Sequence, residues 1–272
     1  MQRNNLYRIK NATRLFLLIN WVGISMLGFA FPLNVHNSTI KTIVIDAGHG
    51  GKDPGCSGAH SVEKTIALDI ALQAGALIEA QWPNVAVIYT RKDDRFVELW
   101  KRADIANKAN ADLFISVHCN AHYNKEVHGA QTFVMGLHKN EDNLEVSERE
   151  NNVRVLEADS FSQKHYEEIN PNTPEGQIVL SLYQSAYLEQ SVDLGAAIQD
   201  QVRAKNELRD LGVIQAGFVV LWKTAMASVL VETGYLTNMS DEAYLTSQKG
   251  KTESAENIFE AVKEYKQRLE NR

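Results

Sequence analysis

The stretch Thr42-Ile43-Val44-Ile45-Asp46-Ala47-Gly48-His49-Gly50-Gly51-Lys52-Asp53-Pro54-Gly55 decides how the rest of the chain reads. Thr42 to Ile45 is a short β-branched run ending at Asp46, the pattern of a strand buried on both faces. A glycine-rich loop from Ala47 to Gly58 follows. Glu63 to Ala80 then carries Ile66, Ile70, Ala74 and Leu77 at helical spacing. Strand, glycine-rich turn and helix in this order are the start of an α/β sheet. The glycines do not make a phosphate loop: Asp46 stands where its first glycine belongs, and Asp53 follows Lys52 in place of Ser or Thr.

Outward from this start the alternation continues. Val85 to Tyr89, Asp112 to Val117, Ala130 to Met135 and Val229 to Val231 read as strands. Leu99 to Ala109, Val192 to Val202 and Glu253 to Leu269 read as helices. The expected fold is α/β: a single domain with a mostly parallel open sheet flanked by helices, interrupted by an acidic, partly helical insertion. Sites in such folds sit at the carboxyl ends of the strands.

The chain has 272 residues and a formal charge of −6. Its first thirty residues carry Arg3, Arg8, Lys10 and Arg14 with no acidic residue, then an apolar run from Leu15 to Ala30. This is the layout of a secretory signal peptide, with an uncleaved anchor as the alternative. Either way the remainder is expected to be exported, to the periplasm or cell envelope, and to meet a membrane only through that segment. Removing those four positive charges takes the formal charge from −6 to −10, which argues against nucleic acid as a partner. Residues 31–40 read as a linker, 41–250 as the catalytic domain and 251–272 as a closing helix. A monomer is expected.

Chemistry concentrates at the predicted strand ends. His49 follows the first strand, and His118 closes Phe114-Ile115-Ser116-Val117-His118. Glu63 opens the helix after the loop, where it also suits the helix dipole. Two histidines and a carboxylate leave one position open on a zinc ion, the composition of a hydrolytic site. Glu232 follows Val229-Leu230-Val231 and can act as the base. Cys56 and Cys119 read as small apolar fillers, and Arg91 and Arg102 as partners of carboxylates such as Asp93 or Asp94.

At this point the residues resemble a family. Ile45 to Gly55, Glu63-Lys64, Thr90-Arg91 with Arg102, Ala111 to His118 and Val229 to Asn238 are similar, in order, to the motifs of the zinc-dependent N-acetylmuramoyl-L-alanine amidases. The resemblance implies one Zn2+ per chain on His49, Glu63 and His118, Glu232 as catalytic base, and peptidoglycan as substrate, cut between N-acetylmuramic acid and L-alanine. The rival enzyme is a metallocarboxypeptidase using the H-x-x-E pair His60-Ser61-Val62-Glu63 with His118. The rival from another class is a non-catalytic wall-binding protein of the same fold.

The insertion, from about Leu137 to Glu189, holds eleven acidic and four basic residues. Some division-associated amidases of this family carry a helix here that covers the zinc until a protein activator moves it, and Ile178 to Gln190 resembles the segment after it. Glu175, Glu168 and Glu167 are the expected blocking carboxylates, with a hinge around Pro171 and Pro174.

Overall fold

In the computed structural model the residues described are 39–136, 141–157, 174–205 and 207–271. The signal-like segment therefore lies outside them, as do Glu167, Glu168 and Pro171. Among the described residues no helix is long and apolar enough to cross a membrane.

The elements run β1 (Thr42–Ala47), α1 (Glu63–Gln81), β2 (Ala86–Tyr89), α2 (Leu99–Lys108), β3 (Leu113–Asn120), β4 (Ala130–Met135) and α3 (Glu141–Asn151). A 3-10 turn over Asn152–Leu156 follows, then α4 (Pro174–Lys205), β5 (Asp210–Ala216), α5 (Val219–Trp222), β6 (Ala227–Tyr235), α6 (Met239–Thr246) and α7 (Gln248–Glu270). They form one six-stranded sheet in the order β2-β1-β3-β6-β4-β5. Every neighbouring pair is parallel except β4 with β6. The chain leaves β1 toward β2 and returns to the other side of β1 as β3, so the β1–β3 boundary is a topological switch point, where open α/β sheets hold ligands.

Three departures from the sequence reading have local causes. Strand β5 escaped it because Asp210-Leu211-Gly212 carries a glycine at φ +80° and the strand lies at the sheet edge, only half-buried. Helix α4 starts at Pro174, read as part of a hinge; proline is tolerated at a first helical position, where no N–H is needed. The closing helix starts at Gln248 and packs Ala255, Ile258, Ala261, Val262 and Tyr265 into the same core as α1.

The pleat separates the two faces of the sheet. On one face Ile43 and Ile45 of β1, Leu113, Ile115 and Val117 of β3, and Val229 and Val231 of β6 pack beneath α1 and α7. On the other, each strand begins apolar and ends polar: Val44 then Asp46; Phe114 then Ser116 and His118; Leu230 then Glu232. The backbone register sets Asp46 beside Ser116 and His118 beside Glu232. One face of the sheet thus delivers a row of polar side chains at its carboxyl edge.

Two buried arginines hold the loop after β1. Arg102 donates to Asp46 Oδ1 at 2.7 Å and to the carbonyls of Ala47, His49 and Val97. Arg91 donates to the carbonyls of Ala47, Gly48 and Lys64. The expectation of carboxylate partners such as Asp93 or Asp94 holds for Arg102 in kind, through Asp46, and is corrected for Arg91: it meets the backbone carbonyl of Asp93, while the Asp93 and Asp94 side chains pair with Arg95 and Lys64. Guanidinium groups in a closed interior need several acceptors at once, and an irregular loop offers carbonyls with no strand partner.

Burial would raise the Asp46 carboxyl, but Arg102 and the hydroxyls of Ser116 and Thr90 hold it below the usual carboxylate range. Asp46→Asn leaves Arg102 without its counter-ion and should cost about 3–5 kcal/mol in urea unfolding at pH 7. A lowered folded pKa stabilises above the unfolded value and is lost as pH falls through the folded one. The gap between wild type and variant should therefore close below about pH 4.

Candidate metal centre

His49 sits at φ +59°, a left-handed conformation that costs a non-glycine residue on the order of 1–2 kcal/mol. The arginine-bound carbonyls on either side enforce it. Its Nδ1 is 2.8 Å from Asp53 Oδ2, which fixes the ring and leaves Nε2 for the site. Gly48 has to be glycine, because a Cβ there would lie 2.4 Å from Cε1 of His118.

Glu63 is the first residue of α1, yet it does not serve its own helix. Its Oε1 accepts from the Cys119 N–H at 2.9 Å and its Oε2 from the Cys56 N–H at 2.8 Å. The two cysteines hold it through their amides, and both are free thiols, with Cys119 in the core. His118 points Nδ1 at Glu63 Oε1, 3.0 Å away.

A fourth donor comes from the insertion. Glu150, on α3, places Oε2 3.1 Å from His49 Nε2 and 3.2 Å from His118 Nδ1. The donor atoms of His49, Glu63, His118 and Glu150 all lie within 4.8 Å of one another, and all four residues are buried. His49 Nε2 and Glu150 Oε2 nevertheless make no hydrogen bond. Atoms this close that are not aligned on each other converge on a common point, as ligands of one ion do. Two imidazoles and two carboxylates, one imidazole oriented by the Asp53 carboxylate behind it, suit a divalent transition metal. Among the described residues this is the one group that could hold an ion.

Charge at the centre follows the same geometry. Against burial, the Glu63 and Glu150 carboxylates raise His49 well above the ordinary imidazole value. Against the same burial, Glu150 and Glu63 lift His118 to about 9. Burial pushes Glu232 up to about 8, with Glu150 and Glu63 adding to the effect. Glu232 is fully buried in register with His118, and neither of its oxygens has a hydrogen-bond partner. Arg149 Nη2 lies 3.8 Å from its Oε1.

The match to known proteins covers nearly the whole described region. The family model described as N-acetylmuramoyl-L-alanine amidase matches residues 43–264. The chain belongs to the N-acetylmuramoyl-L-alanine amidase family. It is 30% identical over 228 residues to N-acetylmuramoyl-L-alanine amidase AmiA of Escherichia coli, covering 83% of this chain and 76% of that protein. It is also 30% identical over 222 residues to the Salmonella typhimurium AmiA, covering 80% and 73%. The solved N-acetylmuramoyl-L-alanine amidase AmiC2 of Nostoc punctiforme superposes with a TM-score of 0.61 at 28% identity, over 84% of this chain and 97% of that one.

Within this amidase the structure brings His49, Glu63, His118 and Glu232 to one place and leaves His60 out. His60 is exposed and outside the group of possible ligands, in a loop whose backbone N–H at His60 bonds to Glu242 Oε1 of α6, so the carboxypeptidase triad does not assemble. Glu150, Arg149 and Asp53 were missed by sequence reasoning. Nothing of the Glu175 side chain is described, and the carboxylate found at the centre is Glu150. Asn143, Val146, Ser147, Glu150 and Val153 recur at helical spacing, but that face is largely polar, and only their burial marks Glu150 as inward-facing.

His49→Ala should lose most of the bound divalent metal by elemental analysis after dialysis, whereas His60→Ala should keep it. The opposite pattern would move the site to the carboxypeptidase triad.

Proposed function

We propose that this amidase hydrolyses the amide between the lactyl group of N-acetylmuramic acid and L-alanine in peptidoglycan, with one zinc ion on His49, Glu63 and His118 and Glu232 as general base. The observation that carries the reading is the row of sheet-edge side chains that sets Glu232 beside His118 with neither carboxylate oxygen hydrogen-bonded. The activity in the names of the AmiA relatives agrees with it.

A bound zinc supplies Lewis acidity, making water a nucleophile near neutral pH and drawing charge from the amide carbonyl. The chain's own residues do the rest. Asp53 keeps the His49 ring in place, and the Cys56 and Cys119 amides keep the Glu63 carboxylate in place. Glu232, whose oxygens have no hydrogen-bond partner, takes a proton from the attacking water and gives it to the leaving nitrogen. The products are a muramic carboxylate and a peptide with a free L-alanine amine.

Glu150 is the occluding group in this reading. Three donors belong to the sheet edge and α1, and only Glu150 arrives on the insertion. It fills the position that water and substrate need. The segment carrying it is strapped down by side chains: Arg149 to Ala121 and Asn120, Asn151 to Gly217 and Val219, Glu157 to the Leu99 N–H, and Val146 and Val153 in the core. A protein activator would act by binding the displaced strap better than the seated one. Wall substrate lies outside the cytoplasm, in agreement with export through the basic and apolar N-terminal segment.

Glu232→Gln should keep zinc and melt normally while losing at least about a hundredfold in turnover on purified peptidoglycan. A near-normal rate would remove Glu232 from its role. Glu150→Ala, or deletion of residues 140–175, should raise activity by roughly tenfold or more, as expected if the open state is at most about a tenth populated. A rate unchanged by both would remove the occlusion while leaving the amidase reading in place.

A further inference from the structure

The strap fills more than the fourth donor position. Arg149 Nη2 donates to Asn120 Oδ1 at 2.9 Å and lies 3.8 Å from Glu232 Oε1, while Nη1 donates to the Ala121 carbonyl at 2.9 Å. Asn120 ends β3, two residues beyond His118, and is fully buried. Its Oδ1 also accepts from the Ala121 N–H. Its Nδ2 has no hydrogen-bond partner. A buried amide donor left unpaired is destabilising, and such a group in a native fold calls for an explanation.

The chemistry of the neighbouring base supplies one. If Glu232 delivers a proton to the leaving nitrogen, that nitrogen must come within hydrogen-bond reach of it. Arg149 Nη2 is the donor that approaches this place in the seated strap, and the acceptor it has found there is Asn120 Oδ1. A substrate N–H brought to the same place would find the same acceptor. The next carbonyl along, Ala121, offers an acceptor for a second N–H, and the idle Nδ2 offers a donor for a peptide carbonyl. A neutral side-chain amide complements a peptide group in both directions; an aspartate would accept only, and would add a negative charge beside Glu232.

We propose that Asn120 and the Ala121 carbonyl form the subsite for the leaving peptide, and that Arg149 occupies it in the seated strap by imitating substrate N–H groups. The ligand is a peptide amide with a free N–H at the scissile position, held by Asn120 Oδ1 next to Glu232. This rests on the amidase reading of the same centre. It gives the strap two contacts with the machinery, Glu150 at the metal position and Arg149 in the peptide subsite, so leaving either in place keeps substrate out.

The test uses the zinc-loaded full chain carrying Arg149→Ala and Glu150→Ala, with two muramoyl-peptide substrates: one ordinary, one methylated at the scissile nitrogen. The opened chain should prefer the N–H substrate by tenfold or more in kcat/KM. Adding Asn120→Ala should lower kcat/KM on the N–H substrate by a similar factor and cut the preference below threefold, with zinc content and melting temperature retained. Asn120→Asp keeps the acceptor and loses the donor, so it should keep the preference while raising KM. Titration of an L-alanyl peptide should also shift the Asn120 side-chain NH2 resonance of the opened chain, a readout independent of turnover and of whether Asn120→Ala folds. Full preference in the Asn120→Ala chain, or a resonance that does not move, would overturn the subsite. An opened chain inactive on both substrates would overturn the amidase reading itself, which separates the two failures.

Discussion

Two buried guanidinium groups under the first loop are the constraint on which the site depends. Arg91 and Arg102 between them bind the carbonyls of Ala47, Gly48 and His49, three consecutive residues where β1 ends and the chain leaves the sheet. Without those acceptors the cations would be buried and unpaired, and without those donors the carbonyls would be orphaned. Each side enforces the other, and together they hold His49 in its left-handed conformation. Asp46 completes the arrangement as the charge partner of Arg102. Burial and the neighbouring Arg102 draw Arg91 down to about 10, which leaves it charged at neutral pH.

The centre is assembled from elements that are rigid for other reasons. Strands β1, β3 and β6 are locked by parallel pairing and by apolar packing on the opposite face, so the polar ends of the shared face cannot drift apart. Glu63 reaches them from α1, and its carboxylate is tied to backbone amides on two different segments. Three carboxylates, Glu63, Glu150 and Glu232, are buried within one small region. Such crowding is costly in a low dielectric unless cations share the space. In this conformation the compensation comes from the two histidines and Arg149, which burial would weaken but Glu150 and Glu232 hold far above its ordinary value. The strap thus supplies both a negative and a positive group to the centre, and its departure removes them together.

Much of this was legible in the sequence. Parallel strands buried on both faces read as continuous apolar runs, so β1, β3 and the core of β6 stood out, and with them the residues that follow their apolar cores: His49, His118 and Glu232. Edge strand β5 did not, because a half-buried strand with a glycine near its start lacks that run. Glu150 was one acidic residue among eleven in the insertion, and its inward face shows only once Val146 and Val153 are known to be buried.

The sequence by itself determined the fold class and placed His49, His118 and Glu232 at the ends of buried strands, since each follows from local pattern and from motifs whose order along the chain mirrors their place on the sheet. Only the tertiary structure decided which carbonyls the two arginines take, which carboxylate of the insertion reaches the histidines, and that Asn120 and Glu232 share one guanidinium nitrogen. The arginines reach carbonyls up to 55 residues away, Glu150 lies 32 residues from His118 and 101 from His49, and Asn120 and Glu232 stand 112 apart. Long side chains choose partners among everything the fold brings near them, and that neighbourhood exists only once the sheet has formed.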